Sequence, residues 1–89
     1  KYGRMRRNFL KEHHPARYSD LIVEGQLWNH LAEIDKLCNA RMEAMIAAMK
    51  KQEGVTEALK AADQMEWVRR MNCIHNRAEE SVLHELVYG

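Results

Sequence analysis

One proline, four glycines and two cysteines among 89 residues exclude several classes at once. So little proline and glycine rules out collagen-like and low-complexity chains. Cys38 and Cys73 are too few for a disulfide framework. Net charge is nearly absent, with 14 Lys and Arg against 13 Asp and Glu, which argues against a polyanion coat and against an acidic tail. No run approaches the roughly 18 apolar residues of a membrane span, and no signal-peptide pattern opens the chain. Sustained period-2 alternation is missing, as are Asn-Gly and Asp-Gly turns between apolar runs, so strands are not expected. What remains is a chain that is 46% hydrophobic, too apolar for disorder and long enough for one domain, 1–89. Composition alone gives a soluble, cytoplasmic, all-α domain and no function. Lys1 stands where a start methionine is expected, so residues upstream are expected too.

Helical periodicity organises the chain. Tyr2, Met5 and Phe9 form a narrow apolar stripe over 2–12, widened by Leu10. Pro15 disfavours helix at His14 and suits the first position of a second helix, which carries Tyr18, Leu21 and Ile22 inward and stops at Gly25. Leu27, Leu31, Ile34, Cys38, Met42, Met45 and Met49 then recur at steps of three and four, a long helix over 26–53 ended by Gly54. A last helix runs to Val87 on the stripe Trp67, Met71, Ile74, Ala78, Val82 and Leu86. Either Thr56 or Asp63 can cap it, and the shifted stripe of Leu59, Ala62 and Met65 points to a break near Ala62–Asp63, which puts the long helix at 63–87. Two long helices on a short connection predict an antiparallel hairpin with two short N-terminal helices, a helical bundle. Its expected core is Leu31, Ile34, Met45, Trp67, Met71, Ile74 and Val82. The hairpin leaves one open face, covered either by the two N-terminal helices or, as the leading expectation, by an isologous dimer that closes a four-helix bundle.

Charge is unevenly placed. Residues 1–17 form a basic arm in which Lys1, Arg4, Arg6, Arg7, Lys11 and Arg17 face only Glu12, while the rest of the chain holds eight cations and twelve carboxylates. Arg4, Arg7 and Lys11 share a helix face suited to phosphates. The plain alternative is a solvated face, or an arm docked on its own acidic body. A helix-turn-helix around Gly25 fits poorly, because Asp20 occupies a position that is normally apolar and the following helix is too long for an ordinary recognition helix. His30 with Glu33 and Glu80 with His84 resemble half-sites of a bundle metal centre in outline. They lack the Glu-x-x-His order and offer too few carboxylates, so no metal and no cofactor is expected. Neither a Gly-rich phosphate loop nor a nucleophile elbow occurs. Cys73 and His75 point apart on one helix, and a Cys38–His75 pair would need the two long helices to join them, so no enzyme is expected. The six methionines fit an ordinary core or a partner groove. Trp28 and Trp67 are expected to pack, and Glu66–Arg70 and Arg77–Glu80 to pair on helix surfaces.

The strings KYGRMRRNFLKEH (1–13), HLAEID (30–35), GVTEALKAADQMEWVRRMN (54–72), NRAEE (76–80) and LHELVYG (83–89) resemble the transposon-encoded TnpV family over almost the whole chain. The third string is long enough to be specific. The resemblance implies a small protein carried on transposons and conjugative elements of Gram-positive gut bacteria, with a further N-terminal segment. It implies no biochemical activity and no site residues. Elements of this kind encode a recombinase or mobilisation enzyme, which favours an accessory role in DNA transactions. In that setting Gln64, Glu66, Arg69, Arg70 and Asn72 are a candidate recognition surface, or the solvated side of a bent helix. The partners expected are DNA, the element's recombinase and a second copy of the chain, and no membrane. The competing expectation is a helical interaction module that never touches DNA.

Overall fold

The computed structural model describes residues 1–89 and contains only helices. They are α1 (Tyr2–His13), α2 (Pro15–Val23), α3 (Leu27–Glu53), α4 (Glu57–Ala62) and α5 (Gln64–Val82), followed by a π-helical turn at Leu83–Val87. Most boundaries have a local cause. His14 is pushed to φ −137° and ψ 61° ahead of Pro15, which opens α2 at its first position. Gly25 and Gly54, at φ 70° and 68°, take the left-handed conformation that ends α2 and α3. After Gly54 the amide of Val55 donates back to the Lys50 carbonyl at 3.0 Å, and the Val55 side chain is buried.

The two capping residues treated as alternatives in the sequence both act. Thr56 Oγ1 accepts from the Leu59 amide at 3.2 Å and starts α4, while Asp63 accepts from the Glu66 amide at 3.1 Å and starts α5. Asp63 itself, at φ −150° and ψ 89°, is the break.

Two apolar clusters hold the molecule. Leu10, Leu21, Leu27 and Leu31 meet where α1, α2 and the start of α3 converge, with Tyr18 against them. Tyr2, Cys38, Met42, Ala78, Val82 and Val87 form a seam joining α1, α3, α5 and the π-helical turn. Glu53 pairs with Arg77 and Arg41 with Glu85, so earlier residues of α3 meet later residues of the C-terminal helix. Only 12 residues are buried and none is polar. The molecule measures 55 × 19 × 17 Å, with a radius of gyration of 16.9 Å against about 12 Å for a compact chain of this length.

The expected stripes hold with named exceptions. Leu31, Ile74 and Val82 are buried, whereas Ile34, Met45, Trp67 and Met71 are half-buried. Leu86 was expected to end the last stripe, but Val87 takes the buried place. In the π-helical turn the Tyr88 amide reaches the Leu83 carbonyl, five residues back, at 2.8 Å. That extra residue per turn rotates Val87, five after Val82, into the core. Ile22 is exposed, not inward, because α2 is short and turns only Tyr18 and Leu21 toward the leucine corner. Trp28 does not pack: it is 69% exposed, one position off the buried stripe. Arg77 pairs with Glu53 of α3 at 2.7 Å, not with Glu80 on its own helix.

Candidate nucleic-acid interface

The basic N-terminus is a docked helix. Gly3 brings the backbone of α1 against α3, and a Cβ there would stand 3.1 Å from the Leu31 carbonyl oxygen. Asp35 of α3 caps α1 from outside: its Oδ1 accepts from the amides of Tyr2 at 3.0 Å and Gly3 at 3.3 Å. Helix N-terminal amides are otherwise unpaired donors, and a carboxylate suits the positive end of the dipole. Burial pushes the Asp35 pKa up and the amides of Gly3 and Tyr2 pull it down, and the carboxyl stands below its usual range.

Docking divides the six cations. Lys1 is committed to Glu79, with Nζ 2.6 Å from the carboxylate, and this bond raises its pKa. Arg6 points inward, donating from Nη1 to the carbonyls of Val87 at 2.9 Å and Gly89 at 3.0 Å. Its Nε faces His30 Nε2 at 3.4 Å. Burial, then the charges of Arg6 and Arg17, lower the His30 pKa, so a neutral imidazole is left to accept. Arg4, Arg7, Lys11 and Arg17 have no carboxylate within ion-pair distance. Three of them follow the i, i+3, i+7 spacing of one helix face, and Arg17 sits on α2.

Between α1 and α3 lies a shallow groove of about 390 Å³. Arg4 and Arg7 line its α1 side, Trp28 and Ala32 its α3 side, and buried Leu31 its floor. Asp35, already holding the α1 amides, lies two helical turns from Trp28 along α3. Trp28 and Asp35 were not singled out as site residues in the sequence. The signal was available for Trp28, whose register sets it beside the buried stripe and outside it.

The second candidate surface is differently arranged. Arg69 and Arg70 both bind Glu66, Arg70 at 2.9 Å. These contacts, Arg70 first, hold the Glu66 carboxyl below its usual pKa. Gln64 and Asn72 are exposed nearby on the same helix. Trp67 is half-buried, with the Lys60 ammonium 4.7 Å from its ring centroid.

His30 is occupied by Arg6, while Glu80 and His84 share a surface hollow with Arg77 and Ser81. No group of three His, Cys, Asp or Glu side chains is gathered for a metal ion. Cys38 lies in the apolar seam, its thiol pKa raised by burial and by Asp35, and His75 Nδ1 faces Glu79 at 3.6 Å. No helix is long and apolar enough to cross a membrane.

The sequence model of a family described as "Transposon-encoded protein TnpV" matches residues 1–87. No curated protein and no solved structure matches the chain.

Proposed function

The chain belongs to the TnpV family of transposon-encoded proteins, and from that setting we propose that it is a cytoplasmic, non-enzymatic accessory protein that contacts DNA through α1 and α2. In this reading the two long helices form an antiparallel hairpin that carries the basic helices on one end. The observation that supports it is the set of unpaired cations: Arg4, Arg7, Lys11 and Arg17 have no carboxylate in reach, whereas Lys1 and Arg6 serve the fold. Unpaired arginines and lysines on one face are what a phosphate backbone requires.

Binding to duplex DNA from the element's ends, with and without its recombinase, tests the proposal. Four phosphate contacts give a slope of log K against log salt of roughly −3.6. Replacing Arg4, Arg7 and Lys11 by Gln removes roughly 2.7 of that slope, at about 0.9 per contact. If no binding is found at about 50 mM salt, where phosphate contacts are strongest, the DNA reading is lost.

The second reading is a helical interaction module that self-associates or binds the recombinase. It draws on the elongated shape and on the exposed apolar side chains Leu37, Met65 and Val68. Sedimentation with and without the recombinase separates the two: a lone 10.5 kDa species that binds DNA rejects the module.

A further inference from the structure

Tryptophan is a costly residue to leave in water, since its ring offers a large apolar area that packing normally takes up. Trp67 follows that rule, half-buried and covered by Lys60. Trp28 departs from it. The residue is 69% exposed, and no cation lies over its ring, although Arg4 and Arg7 line the same groove. Both arginines also lack a carboxylate partner. An open aromatic face beside two free guanidiniums is the arrangement by which proteins hold an unstacked base and its phosphates.

We propose that Trp28 is a stacking platform for an unpaired base of single-stranded DNA, with Arg4 and Arg7 on the flanking phosphates. The inference rests on the DNA reading above and adds the form of DNA that this groove takes. In a duplex each base is already stacked within the helix, so the Trp28 ring is offered a base only by a single strand, a frayed end or a flipped nucleotide. Arg4 and Arg7 stand one helical turn apart, about 5–6 Å between Cβ atoms, so both can serve one strand. Asp35, whose carboxylate accepts from the Tyr2 and Gly3 amides, lies two turns along α3 from Trp28, and the cation Lys1 lines the same groove. Leu31 closes the floor, so the bound base lies on the α3 side against Trp28 and Ala32.

The test uses the chain with Trp67→Phe, which leaves Trp28 as the reporter. A short oligothymidylate should quench its fluorescence, and a blunt duplex should not. In the otherwise unaltered chain, Trp28→Ala should weaken oligothymidylate binding by about 5- to 150-fold, the range for one lost stack. Its duplex affinity should not change, and Trp28→Phe should recover part of the loss. Because Trp28 is exposed, neither change removes a core contact. Oligothymidylate bound without quenching, or bound equally well by Trp28→Ala, would falsify the platform and leave the duplex reading standing. Failure to bind either form of DNA removes both.

Discussion

The two ends of the molecule use the same residue types in opposite ways. Around the leucine corner Arg4, Arg7, Lys11 and Arg17 are unpaired and Trp28 is open. Around α4 and α5, Arg69 and Arg70 share Glu66, Arg77 holds Glu53, and Trp67 lies under Lys60. The first end is held by apolar packing and by hydrogen bonds to backbone groups, so most of its cations are spare. The second end pairs its three arginines with carboxylates, and only Lys50, Lys51 and Lys60 there lack one within ion-pair distance. Net charge close to zero conceals this division, on which the proposed DNA contact rests.

The largest way to break the contrast is to remove the apolar support of either end. Leu10→Ala in the corner and Ile74→Ala in α5 each delete a fully buried side chain, and each should cost about 2–5 kcal/mol in chemical denaturation. Phe9→Ala should cost less than Leu10→Ala, since Phe9 is half-buried and its ring meets His13, His14 and Tyr88 at the surface. An equal or greater loss for Phe9 would show that the corner is organised around the aromatic ring.

A smaller effect sharpens the comparison. Asp35→Ala removes the only side-chain cap of α1 and should cost about 0.5–2 kcal/mol, while DNA binding survives if α1 stays docked. The depressed Asp35 pKa adds a pH signature. A carboxylate with a lowered folded pKa contributes stability that is present above its unfolded value and lost as pH falls through the folded value. Asp35→Asn should therefore flatten the stability profile below about pH 4. Lys60→Gln at the opposite end should cost about 0.5–1 kcal/mol and shift the Trp67 emission, leaving the salt slope of DNA binding untouched.

The smallest expected effect is at His30. Its folded pKa is lowered, so the unfolded chain takes up the proton first as pH falls. Stability should decline below about pH 6.5, and His30→Gln should remove that part of the decline. A profile unchanged by the substitution would mean that Arg6 does not depend on a neutral imidazole.

Much of the architecture was legible because its causes are local. Pro15, Gly25, Gly54, Thr56 and Asp63 set helix ends within a few residues of themselves, and the three- and four-residue spacing of Leu27 to Met49 marks one buried face regardless of what covers it. The break at Asp63 could be read from the shift between two apolar stripes. Val87 could not be read that way, because a π-helical turn changes the period on which the stripe was extrapolated. Trp28 was expected to pack because a tryptophan usually does, and nothing nearby in the sequence says that no element crosses above it.

The amino-acid sequence by itself determined the helical class, nearly every helix boundary, the buried faces and the concentration of positive charge in the first seventeen residues, since each depends on neighbours along the chain. Only the tertiary structure decided which of those charges are spare. Glu79 reaches Lys1, the Val87 carbonyl and His30 take Arg6, and Asp35 caps α1, all from residues at least 24 positions away. An ion pair or a cap acts only at contact distance, and contact between distant residues is set by how the helices pack.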